Sequence, residues 1–291
     1  MLVTVPTGPV PGDPPNPPAT RPGSVPPMRS RQLVAFNTAT ESDNKIHDDD
    51  VAKRFGFSGG LVPGVDVYGY LTWGPVSKWG LDWLTRGTIE ARFPKPTYDG
   101  ETVTVSFDEA SGACRLRNPG GDVVAEGTAA CPDSPAPSPD PARYPWAPLP
   151  ERRPPASPES LVTGQVLGSL DVGFHADRLA AYLTNVREEL DVYAREGIAH
   201  PGWVLRLGNF VLASNVVLGP WIHVGSNVTQ HGLIHDGAKV SCRGTVTREY
   251  EHKGHRFVQL DVVVWADDKP AAHIDHTAIY LPRQVRQHAA G

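Results

Sequence analysis

The chain has few cysteines: three in 291 residues, Cys114, Cys131 and Cys242. Their spacing matches no metal-binding pattern, and a disulfide framework needs more of them. A reduced, cytoplasmic setting is expected. Basic charge is not in excess either. The net charge is −5, with no general positive field to hold a polyanion, so nucleic acid is excluded as the main partner. Long uninterrupted apolar runs are missing too. The nearest, Trp203 to Trp221, carries Arg206, Asn209 and Asn215 and reads as a buried helix, not a membrane span. The N-terminus has neither a basic region nor an unbroken apolar core, so no signal peptide is expected.

Proline and glycine, by contrast, are plentiful: 30 and 29 residues. They concentrate in two segments. Residues 1–30 offer little to bury and are expected to be disordered, with Met28 as an alternative start. Residues 132–160, "PDSPAPSPDPARYPWAPLPERRPPASPES", read as a semi-rigid extended linker. They divide the chain into a first half, 31–131, and a second, 161–285, with 286–291 as a tail.

Each half repeats one order of elements. In the first, a strand near "RQLVAFNTAT" precedes a helix from Gly64 to Gly87, with a kink expected at Gly74-Pro75. Strands "TIEARF", "TVTVSF", "CRLR" and "VVAEGTAAC" follow. In the second, Pro201-Gly202 opens an apolar helix, "WIHV" begins a strand, and three long strands lie near 238–249, 256–266 and 271–281. Pro-Gly and Asp-Gly turns bracket both helices, 36 positions apart (Gly64 to Gly100) and 35 apart (Gly202 to Gly237). Matched spacing in matched order indicates an internal duplication. The expected fold class is α+β: a long helix wrapped by an antiparallel sheet, twice.

The stretch "SDNKIHDDDVAKRFGFSGGLVPG", Ser42 to Gly64, carries the chemistry. A histidine titrates near neutral pH and suits general base work. The amides at a helix start lack intrahelical partners and suit a developing oxyanion, and a glycine there lets a ligand approach. Asp48, Asp49 and Asp50 suit the cap of a short helix through Ala52–Phe55.

Asn44, His47, Asp49 and the "LVPG" turn at 61–64 resemble the hydratase motif of the MaoC-like (R)-specific enoyl-CoA hydratases and dehydratases. "ARFPKPTYDGETVTV" (91–105) resembles that family's strand–turn–strand. The resemblance implies a double hotdog fold and reversible hydration of acyl thioesters, 2-enoyl-CoA to 3-hydroxyacyl-CoA. By the same resemblance His47 is the base, Asn44 a positioning group, and the Gly64 amide, with Val62 and Pro63, the oxyanion and substrate site. The family's catalytic aspartate falls at Ser42, which leaves Asp43, one position later, as the candidate carboxylate.

In the second half Glu188 stands where the histidine would be, and this half is expected to be non-catalytic. No cofactor is implied beyond the CoA or carrier protein that bears the acyl group, and no metal, since His223, His231, His235, His273 and His276 show no ligand spacing. The partners implied are acyl-CoA or acyl-carrier protein, with no nucleic acid and no membrane; a homodimer of double hotdogs is an admitted assembly. Two other readings stay open: a hotdog thioesterase using Asp66, and a catalytically inactive acyl-binding or partner subunit.

Overall fold

The computed structural model describes residues 28–40 and 42–289. Its first half comprises β1 (Met28–Val34), α1 (Asp49–Arg54), α2 (Gly64–Trp79), α3 (Leu81–Arg86), β2 (Thr88–Arg92), β3 (Thr102–Asp108), β4 (Ala113–Arg117) and β5 (Val123–Ala130). The second comprises β6 (Leu170–Gly173), α4 (Leu179–Asn185), α5 (Val192–Glu196), α6 (Pro201–Asn215), β7 (Ile222–Gln230), β8 (Lys239–His252), β9 (His255–Ala266) and β10 (Lys269–Leu281), with α7 (Arg283–Ala289) after it.

All ten strands form one antiparallel sheet in the order β1-β3-β4-β5-β2-β7-β10-β9-β8-β6. Read inward from each edge, the order is the same: β1-β3-β4-β5-β2 on one side and β6-β8-β9-β10-β7 on the other. The duplication is therefore a topological repeat. The halves join where β2 pairs β7, Thr88 opposite Thr229 through Arg92 opposite Gly225. The α+β class expected from the sequence is the class observed.

Each long helix packs on its own half's strands, and α2 also packs against α6. Every residue of α2 from Val65 to Val76 is buried. Such a helix, buried on all sides, needs partners around its whole circumference. The sheet supplies one side through alternating Val103, Val105 and Phe107 on β3. The second half supplies the other.

Several boundaries differ from expectation. The helix does not reach Gly87 unbroken: Gly80, at φ +56°, ends α2 and starts α3. Pro75 lies within α2, which continues through it. Met28–Ser30, assigned to the disordered segment, pair with Asp108–Ser106 as the start of β1. The remainder of that expectation falls on residues 1–27, outside the described residues. The tail assigned to 286–291 begins inside α7.

The proline-rich segment 132–160 is extended and fastened to the second half. Tyr144 is buried against Val263 and Trp265. Its hydroxyl donates to Asp261 at 3.0 Å. Arg153 Nη1 donates to the Ala213 carbonyl at 2.7 Å, and Val217 N to the Pro154 carbonyl at 2.8 Å. No helix among the described residues is long and apolar enough to cross a membrane.

Candidate active site

The loop before α1 is built around Asn44. It caps a single 3₁₀ turn, Lys45–His47, by accepting from Ile46 N. The same carboxamide crosses to the second half, where Oδ1 accepts from Trp221 N at 3.2 Å and Nδ2 donates to the Trp221 carbonyl at 3.0 Å. Ser42, at the place of the family's aspartate, uses its hydroxyl to accept from Asn44 N at 3.1 Å.

The downstream part folds back onto this turn. Asp48 caps α1 by accepting from Val51 N at 3.0 Å. Asp49 accepts from Gly60 N at 2.6 Å and so clamps the glycine turn. A Cβ on Gly60 would meet the His47 carbonyl at 2.3 Å, so only glycine fits there. Leu61 N then bonds to the Ile46 carbonyl at 3.3 Å, and the chain enters α2 at Gly64.

These contacts fix the protonation geometry of His47. Its Nδ1 lies 2.7 Å from the Leu61 carbonyl, which can only accept, so Nδ1 carries the hydrogen. The lone pair is therefore on Nε2, 3.3 Å from Asn44 Nδ2. Burial lowers the ring's pKa and outweighs the carbonyl bond and the charge of Asp66, which raise it; the charge of Arg206 lowers it further. The ring is therefore held in its neutral form more strongly than an ordinary histidine.

Two cavities meet at this ring. The wider, about 610 Å³, is lined by Thr38, Ser42, Asp43, Arg153, Arg206 and one face of α6. The narrower, about 180 Å³, is lined by Gly64, Val62, Val67, Phe93–Thr97 and His223. Asn44, His47, Pro63, Asn209 and Trp221 border both. The amides of Gly64 and Val65 have no hydrogen-bond partner among the described residues, as the first positions of α2 require. Gly64 sits against the second half: a Cβ there would lie 2.9 Å from His223 Nδ1.

The structure thus brings His47, Asn44, Val62, Pro63 and Gly64 to one junction. Asp43 borders the wider cavity but is exposed, and among the described residues it makes no hydrogen bond. Among the described residues no carboxylate is hydrogen-bonded to the His47 ring. Asp66 is fully buried, with Oδ2 accepting from Thr38 Oγ1 at 2.6 Å and Oδ1 from Arg206. Both its oxygens are engaged, which leaves it poorly placed to activate water for thioester hydrolysis.

The corresponding position of the second half is closed. His200 Nδ1 accepts from Gly202 N at 3.0 Å and occupies the helix-start amide that is free at Gly64. Its other nitrogen therefore carries the hydrogen and donates to Glu188 Oε2 at 3.2 Å, both side chains being wholly buried. Burial pushes the Glu188 carboxyl up, but His200 and the neighbouring amides outweigh it and hold the group below its usual range.

Among the other histidines, His223 Nε2 lies 3.2 Å from the Gly225 carbonyl and 2.9 Å from Ser226 Oγ, and Ser226 Oγ lies 3.2 Å from His276 Nδ1. His273 does converge with Asp261 and Asp275, a grouping the spacing of histidines alone did not suggest. His273 and Asp261 are bonded to each other at 2.6 Å. Sequence reasoning missed Thr38, Arg206, Asn209 and Trp221 as site residues. The only signal was that Arg206 and Asn209 are polar positions three apart in an otherwise apolar helix.

No family model matches the chain, and no curated protein matches it. Solved structures do. A MaoC domain protein dehydratase from Chloroflexus aurantiacus, so described, superposes with TM-score 0.60 at 11% identity, over 89% of this chain and 96% of that one. A MaoC-like dehydratase gives TM-score 0.56 at 13% identity, over 89% and 99%. A conserved hypothetical protein from Mycobacterium tuberculosis, described as a double hotdog, gives 0.56 at 14%, over 88% and 96%. The chain has the double hotdog fold that MaoC-like dehydratases share.

Proposed function

We propose that the protein is a hydratase or dehydratase of acyl thioesters, interconverting a 2-enoyl and a 3-hydroxyacyl group, with His47 as its base. The observation that carries this reading is the tautomer. The Leu61 carbonyl takes the Nδ1 hydrogen, which leaves Nε2, 3.3 Å from Asn44 Nδ2, as the basic nitrogen of a ring that borders both cavities.

In the hydration direction, water adds its oxygen to C3 and gives a proton to His47 Nε2. The C2=C3 electrons move onto the thioester oxygen, whose charge the Gly64 amide receives. The imidazolium then returns its proton to C2, which restores the neutral ring. Asn44 holds the ring edge and, through Trp221, the register of the loop.

The placement supports one orientation of the substrate. Gly64 borders only the narrow cavity, while His47 borders both. A thioester with C1 at Gly64 and C3 at His47 therefore runs from the narrow slot into the wide cavity. The carrier arm then lies along Phe93–Thr97, and the rest of the acyl group against α6.

The test is hydration of crotonyl-CoA, followed by loss of enoyl absorbance, alongside release of free thiol. Hydration without thiol release is expected. Thiol release would favour a thioesterase, and binding with neither reaction an inactive acyl-binding subunit.

A further inference from the structure

We propose that the acyl group accepted here carries an oxygen acceptor beyond C3, a carbonyl or carboxylate oxygen, which Arg206 and Asn209 receive. The inference rests on the hydratase reading and adds a substrate class to it.

The wall of the wide cavity is not what a plain alkyl chain needs. Arg206 and Asn209 stand one turn apart on α6 and both line it. The Arg206 side chain is 21% exposed, whereas Asp66, its partner, is 0% exposed. Among the described residues only Nη2 is hydrogen-bonded: it donates to Asp66 and, at 2.9 Å, to Thr38 Oγ1. Nε is a donor buried without a partner among the described residues; the atom of Asn209 left so is Oδ1, an acceptor, so only its Nδ2 can meet an oxygen of the ligand. The guanidinium lies over the Tyr182 ring, 5.6 Å from its centroid, which limits its freedom to turn toward bulk water.

A purely structural ion pair between the halves would be sealed on both sides. This one is sealed on the Asp66 side, while Arg206 lines the cavity with Nη1 unbonded among the described residues. Donors left without acceptors in a low-dielectric pocket are costly, and an alkyl tail would leave them so. A planar guanidinium suits a carbonyl or carboxylate oxygen, and Asn209, which borders both cavities, can complete the contact by donating from Nδ2.

The test compares saturated acyl-CoA thioesters of equal chain length, ending in a methyl, a keto-methyl or a carboxylate group, by calorimetry on the full chain. At least one oxygenated ligand should bind about ten- to a hundredfold tighter than the alkyl one, the range of a hydrogen bond to a charged group. Arg206→Lys keeps a cation for Asp66 but loses the fork. Asn209→Leu leaves the ion pair untouched. Each should bring the ratio of affinities toward one. Equal or tighter alkyl binding, a ratio that survives both substitutions, or binding of no thioester overturns the inference. Crotonyl-CoA hydration is scored separately. Hydration with a ratio of one sinks this inference alone; a preserved ratio without hydration sinks only the hydratase reading.

Discussion

Asn44 and Trp221 exchange two hydrogen bonds across the boundary between the halves, 3.2 Å from Trp221 N to Oδ1 and 3.0 Å from Nδ2 to the Trp221 carbonyl. The loop that carries His47 in one half is thus held by backbone of the other. Asn44→Ala should unsatisfy both backbone groups and cost about 1–3 kcal/mol. Asn44→Asp should not rescue it, because a carboxylate cannot donate to the Trp221 carbonyl. Chemical denaturation of the three proteins checks this; full rescue by aspartate would contradict it.

His47→Ala should reduce hydration by about 10²–10⁴-fold, as loss of a general base does, and cost about 1–3 kcal/mol of stability by unpairing the Leu61 carbonyl. Asp43→Asn should cost less than about tenfold, because the side chain is exposed and unbonded to the ring. A loss at Asp43 matching that at His47 would mean the carboxylate swings in when substrate binds.

The pH profile follows from the sign of the His47 shift. Burial lowers its pKa, so the ring stays an unprotonated base below the ordinary histidine value. The kcat/KM should hold flat as pH falls past about 6.5 and decline only at more acid pH. A decline centred above 6.5 would place a different group in the role.

Gly64→Ala puts a methyl 2.9 Å from His223 Nδ1 and 3.2 Å from its carbonyl oxygen, with a strand behind both. Overpacking of this kind costs about 1–3 kcal/mol, and displacement of the helix-start amides should lower kcat more than it raises KM. Unchanged kcat would remove Gly64 from the oxyanion site.

The proline-rich segment should loosen with rising pH. His273 is raised above its ordinary pKa, chiefly by its hydrogen bond to Asp261, which also accepts from Tyr144 of that segment. A raised folded pKa contributes stability fully present below the unfolded value, near 6.5, and lost as pH climbs through the folded one. His273→Gln should therefore destabilise more at pH 6 than at pH 9. A pH-independent difference would show that the pair stays uncharged.

What the sequence determined by itself was whatever is local or periodic. The alternation of Val103, Val105 and Phe107, the Asp48 cap of α1 and the matched glycine turns around two helices each follow from neighbours in the chain. Together they implied the duplicated α+β fold. The helix break at Gly80 was less legible, because a glycine between apolar residues reads equally as a tolerated helical position until its φ of +56° is known. The tautomer of His47 depended on where the Leu61 carbonyl came to rest, fourteen residues away. The pairs Asn44–Trp221 and Asp66–Arg206 join residues 177 and 140 positions apart. Only the β2–β7 pairing and the packing of α2 on α6 bring them together, because hydrogen bonds and charge are short-ranged in space and indifferent to separation along the chain.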